Sequence, residues 1–107
     1  MKYRVQWSAR TLDRLIEILD FVALDKPRTA VKLVDEILAR VEGLADYPRL
    51  GQVFSDESGP DIRHIRRLVV KNHIVVYQIR EDRRIISILA VRHARQRPLT
   101  MADLDPD

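Results

Sequence analysis

At 107 residues, 46% of them apolar and 33% charged, the chain has room for one domain and one main core. It carries no cysteine, which excludes a disulfide framework and any thiolate metal site. Its longest uncharged apolar runs, about seven residues, fall far short of the ~20 that a membrane-spanning helix needs. The net charge of +3 is unevenly spread. Residues 1–60 hold 9 basic and 10 acidic side chains, residues 61–97 hold 10 and 3, and the last ten residues hold three aspartates and no base. Nine of the ten bases in the middle block are arginines, which grip carboxylates and phosphates with two parallel donors, so this block should attract an anionic partner, either nucleic acid or an acidic protein surface. The opening MKYRVQW lacks the apolar run of a secretory signal, and a cytoplasmic protein is expected.

Residues 2–7 alternate as a short strand with Tyr3, Val5 and Trp7 on one side. Ser8 stands where a helix N-cap belongs, and Leu12, Leu15, Ile16, Leu19 and Ala23 then recur as one helical face, predicting a helix from Ala9 to about Leu24. Asp25-Lys26-Pro27 ends it, and Pro27 suits the first turn of a second helix reaching about Ala45. The apolar stripe of that helix (Ala30, Val31, Val34, Ile37, Leu38, Val41, Leu44, Ala45) is wider than one contact surface needs, which predicts contact from two sides. So short a link makes the pair an antiparallel hairpin. Pro48, Gly51, Gly59 and Pro60 punctuate a long loop. From there Ile62–Val70, Ile74–Ile79 and Ile85–Val91, rich in Ile and Val, read as an antiparallel three-strand meander. The expected fold is α+β: a two-layer β-α-α-β-β-β sandwich, the helical hairpin lying on a mainly antiparallel four-stranded sheet. The domain core should span about 2–95, with an acidic tail over 98–107.

Catalytic signatures are sparse. The glycines form no phosphate loop, and His64, His73 and His93 are not spaced as ligands on one helix, so no cofactor or metal is expected. The informative fragments are five, in order. They are Val5-Gln6-Trp7-Ser8 before an amphipathic helix; Leu44 to Gly51 with Pro48, an L-x-x-x-P-x-x-G helix exit; the R-x-L-x-V strand led by Arg66; the strand with Tyr77; and a V-x-H-x-R ending with His93 and Arg95. Together they resemble the RelE/ParE superfamily of bacterial type II toxin–antitoxin toxins, over nearly the whole chain.

The resemblance implies a cytoplasmic bacterial toxin with one of two activities. RelE-like members are ribosome-dependent mRNA endoribonucleases, whose chemistry needs an acid, a base and cations around the phosphate. ParE-like members resemble them in fold and poison DNA gyrase through protein contacts, a plasmid-stabilising activity. The chain departs from the nuclease pattern: the arginine often found three places before the strand tyrosine is Ile74, one of the basic pair on the preceding strand falls at Ile65 while Arg67 matches the other, and no tyrosine follows Val91. The ParE-like branch is therefore favoured. An RNase would use Arg67, His93 and Arg95, and a third reading is an inactive antitoxin-binding module. Arg67, Arg92, His93, Arg95 and Arg97 are the expected target-binding residues. In the family a small antitoxin wraps the helical hairpin, which implies a heterodimer or heterotetramer and makes Ile18, Phe21, Val22, Leu33 and Ile37 the expected antitoxin contacts. Arg66, on the same side as Leu68 and Val70, is expected to hold the long loop through hydrogen bonds to backbone carbonyls.

Overall fold

A computed structural model describes residues 2–54, 64–96 and 100–104. Five strands and two helices run in the order β1 (Arg4–Trp7), α1 (Ala9–Ala23), α2 (Pro27–Glu42), β2 (Gln52–Val53), β3 (Ile65–Val70), β4 (His73–Arg80) and β5 (Ile85–His93), with short 3₁₀ turns at Gly43–Ala45 and Met101–Asp103. The sheet order is β1-β5-β4-β3-β2. The meander is antiparallel as its composition predicts, and β1 pairs in parallel with β5, Trp7 opposite Ile88. The α+β sandwich stands. Its sheet has five strands rather than four, because Gln52 and Val53 from the loop add an edge beside Arg67 and Arg66. Ile62, Gly59 and Pro60 lie outside the described residues.

The start of α1 is set by Ser8. Its hydroxyl accepts from the Thr11 amide at 3.1 Å while the Thr11 hydroxyl accepts from the Ser8 amide at 3.0 Å, so two otherwise orphaned donors are satisfied reciprocally. That exchange lets Thr11 be buried, and it decides which face of the helix turns inward. Thr11, Leu15, Ile18 and Val22 meet the core, at i, i+4, i+7 and i+11. Leu12 and Ile16, expected inside, are exposed. The inward stripe is shifted by one position from the one the apolar periodicity suggested, because a capped threonine competes well with leucine for a buried place.

Helix α2 begins at Pro27 and tightens into the 3₁₀ turn after Glu42, three residues before the expected end. Ala30, Leu33, Ile37 and Val41 face the core. Val31 and Leu38, the flanks of the wide stripe, are exposed, so the helix is covered on one side only within this chain.

The sheet is apolar on both faces. The helix-side core takes Leu68, Val70, Val75, Tyr77, Ile79, Ile86, Ile88 and Val91. A second, smaller cluster of Phe54, Ile65, Val76, Leu89 and Leu104 occupies the outer face, with Ile74 and Ala90 at its margin. A register shift at Val76/Tyr77, where Val76 faces Ala90 and Tyr77 faces Ile88, adds Leu89 to β5 and delivers both Leu89 and Ala90 to that outer cluster.

Candidate functional site

The two ends of the sheet are built differently. At one end the Pro48–Gly51 segment is pinned to the strands. The buried Tyr77 hydroxyl donates to the Pro48 carbonyl at 2.7 Å and accepts from the Gly51 amide at 2.9 Å. Burial raises the Tyr77 pKa, partly offset by the Gly51 N–H. Arg66 donates to the Gly51 carbonyl at 2.7 Å and to that of Arg49 at 3.3 Å, the anchoring role read from its alternation. A Cβ on Gly51 would lie 2.5 Å from the Arg67 carbonyl and 2.7 Å from the Tyr77 hydroxyl, so the glycine of the L-x-x-x-P-x-x-G exit is required by close approach of backbone to sheet. Glu81 completes the clamp, accepting from Tyr3 at 2.5 Å and from Arg49 at 2.6 Å. The Tyr3 hydrogen bond and then the Arg49 guanidinium hold the Glu81 carboxyl below its usual range. The tyrosine and arginine of the strand motifs are thus committed to holding the chain.

At the other end β5 runs into Arg92, His93 and Arg95. The His93 ring meets the His73 ring edge-on at 5.0 Å, the two being cross-strand partners. The Arg95 backbone amide donates to His93 Nδ1 at 2.9 Å, which fixes that nitrogen as an acceptor. His73 is buried with no partner for Nδ1, and burial, then the neighbouring His93, lowers its pKa. Arg92 is 15% exposed and donates through Nε to Gln96 at a long 3.3 Å. The Arg95 side chain is exposed. Arg67 is exposed on the outer face, 3.5 Å from the Gln52 carbonyl oxygen, far from this end. Arg97 lies outside the described residues. Of the expected target-binding set, Arg92, His93 and Arg95 come together and Arg67 does not join them.

A groove of about 850 Å³ opens between the helical hairpin and this end of the sheet. Ile18, Phe21, Val22 and Leu33 line one wall; His73, Arg92, His93 and Gln96 line the other. Four of the residues expected to meet an antitoxin and two of those expected to meet a target, Arg92 and His93, therefore share one cleft, a relation no local motif displays. Phe21, 77% exposed, offers a large free apolar surface there. Ile37 is a correction: at 0% exposure it belongs to the core and has no surface to offer a partner, because it occupies the inward position of α2 between Leu33 and Val41. Leu33 is also mostly buried, touching the groove only with its edge. Lys32, Lys71 and Asn72, which also line the groove, are not marked as site residues by any sequence motif; Lys32 stands on α2, and Lys71, at φ 52°, and Asn72 form the tight turn between β3 and β4.

The outer face carries apolar groups where RNA cleavage would need cations. Ile65 is 1% exposed, packed with Phe54, Val76, Leu89 and Leu104, and Ile74 closes the margin. Leu104, one large apolar residue in an acidic tail, was a legible but unread sign that the tail folds back. Among the described residues no group of three or more His, Asp or Glu side chains is placed to hold a metal ion, and no helix is long and apolar enough to cross a membrane.

Comparison with known proteins gives a consistent set of matches. The sequence profile described as ParE toxin of type II toxin-antitoxin system, parDE, matches residues 5–98. The candidate toxin Y4kP of Sinorhizobium fredii is 35% identical over 95 residues, covering 87% of this chain and 90% of that one. Among solved structures, the chromosomal ParDE toxin–antitoxin system of P. aeruginosa superposes with a TM-score of 0.70 at 18% identity, covering 88% of this chain and 98% of that one. The isolated E. coli RelE toxin gives 0.62 at 10% identity, covering 88% and 86%. At these identities the structural likenesses establish the fold.

Proposed function

This chain belongs to the ParE toxin family of type II toxin–antitoxin systems, and from that premise we propose that it inhibits DNA gyrase and is neutralised by an antitoxin segment seated in the α1–α2 groove. The observation that carries the gyrase reading is the apolar outer face. Phosphodiester cleavage needs donors aimed at the charge that develops on the phosphoryl oxygens, and losing one such donor typically raises the barrier by about 2.7–4 kcal/mol. Ile65 and Ile74 supply none, and Ile65 is sealed beneath Phe54 and Leu104. The basic groups that remain near β5 suit contact with an acidic surface better than stepwise proton transfer, since His93 already uses Nδ1 as an acceptor for Arg95.

The antitoxin reading rests on the groove. Phe21, Val22 and Ile18 offer an apolar strip, and Arg14, Lys32 and Lys71 stand on its rim, which suits an amphipathic acidic segment that folds as it binds. Such a segment would cover His93 and Arg92 as well, so neutralisation and target occlusion would be one event. Brief induction of the toxin, followed by primer extension on a translated message and plasmid topology on gels, tests the target. Intact message with loss of negative supercoiling is the expected result. Codon-linked cuts with normal supercoiling would assign the RNase activity instead.

A further inference from the structure

Beside the antitoxin groove, and sharing Arg14, Arg92 and Gln96 with it, lies a second cavity of about 390 Å³. Its polar walls are Arg10, Thr11 and Arg14 from the first turns of α1, Arg92 from the end of β5, Gln96 just beyond that strand, and Asp103 from the 3₁₀ turn at Met101–Asp103. Three observations bear on its use. The first turn of α1 contains no acidic residue, although the helix dipole favours one there; it presents Arg10 instead, with Arg14 one turn on along the same side. Arg92 is held nearly buried by weak contacts: Nε reaches Gln96 at 3.3 Å, and Nη1 stands 3.8 Å from Asp103 Oδ2, beyond hydrogen-bonding distance. Asp103 in turn spends that oxygen on the Thr100 amide at 2.9 Å and the Thr100 hydroxyl at 3.3 Å. A guanidinium this enclosed ordinarily has short, charge-assisted partners.

The geometry points to a phosphoryl-binding site in this cavity, in which Arg10, Arg14 and Arg92 receive the oxyanion and Asp103 is a carboxylate of the chain itself beside them. Charge selects phosphate over a lone carboxylate. Among the described lining residues three guanidinium groups face one carboxylate, and with the exposed Glu17 partner of Arg14 displaced the excess is two positive charges, close to the charge of about −1.5 to −2 that a phosphomonoester carries near neutrality. Arg14 also reaches Glu17 at 3.3 Å, but both side chains are more than half exposed and such a pair is readily exchanged for a better anion. Thr11 adds little, because its hydroxyl is already committed to Ser8. The site does not depend on whether gyrase or mRNA is the target.

The test uses the full chain and two probes, inorganic phosphate and an eight-nucleotide oligothymidylate, each titrated at constant ionic strength while backbone amide resonances are followed. The expected result is a saturable response confined to residues 10–14, 92–96 and 102–104. The double variant Arg10→Gln, Arg14→Gln, both on the exposed side of α1, should weaken phosphate binding at least about tenfold, as loss of charge-assisted contacts does. Asp103→Asn should tighten it several-fold by removing the resident carboxylate, a gain that a merely structural aspartate would not produce. The stronger of the two probes identifies the source, a free phosphate or a nucleic-acid backbone. A response to phosphate no different from that to chloride, or one that survives the Arg10/Arg14 double variant, or an Asp103→Asn protein that binds no tighter, would overturn the assignment.

Discussion

The two ends of the sheet spend their polar residues in opposite ways. Around Pro48–Gly51, Tyr77, Arg66, Arg49 and Glu81 close a network of contacts mostly between 2.5 and 2.9 Å. Around Arg92–Gln96 the side-chain contacts are longer, His73 keeps a buried nitrogen without a partner, and Phe21 lies open beside them. A pinned region gives stability and a loosely satisfied one gives binding. The strand tyrosine and arginine that carry the family resemblance belong to the pinned end, so their presence speaks for the fold and leaves the target undecided.

This contrast can be broken most forcefully at two positions of the helical hairpin, one on each helix. Ile37→Ala removes a fully buried side chain and should destabilise the domain by about 2–5 kcal/mol in urea unfolding. Phe21→Glu should leave stability within about 0.5 kcal/mol, as exposed positions do, yet abolish antitoxin binding. If Phe21→Glu binds antitoxin normally, the groove is not its seat.

At the pinned end, Gly51→Ala would force a Cβ against the Arg67 carbonyl and should cost about 3 kcal/mol, the upper part of the range for overpacking. Tyr77→Phe leaves the Pro48 carbonyl and the Gly51 amide without their shared partner and should cost about 1–3 kcal/mol. Neither change should alter the affinity of the folded protein for its antitoxin, a comparison that isothermal titration would make.

The smallest expected effect is a pH dependence. Burial and His93 lower the pKa of His73, so the folded state holds this ring neutral more strongly than the unfolded chain does. The unfolded ring takes up its proton first as pH falls. The stabilisation is therefore complete above the ordinary histidine value of about 6.5 and is lost progressively as pH drops from there toward the lower, folded value. Urea midpoints measured from pH 7.5 down to 5.5 should decline, and His73→Gln should flatten that decline.

The fold was largely legible because its signals are local and redundant: Ser8 before an amphipathic run, Pro27 between two helices, and three Ile/Val strands separated by polar turns. Where the reading failed, two local rules competed. Thr11 took an inward position from Leu12 because its hydroxyl is satisfied by the cap, and this turned Ile18 and Val22 toward the core. The added β2 edge could not be seen, since two residues carry no periodicity. The role of Arg66 was readable from alternation alone. The candidate site was legible only in pieces. Phe21 and His93 stand far apart in sequence, and their shared groove follows from how α1 and α2 lie against β5, which no motif encodes. Ile37 was misplaced because a stripe wider than needed does not say which of its edges is exposed.

Inhibition of supercoiling by purified gyrase, with relief by antitoxin, tests the central claim most directly. Wild-type protein should inhibit, and a stoichiometric amount of antitoxin should restore supercoiling. Phe21→Glu should inhibit equally well and resist that rescue. Full supercoiling in the presence of excess wild-type protein would contradict the gyrase assignment, and equal rescue of Phe21→Glu would contradict the placement of the antitoxin in the groove.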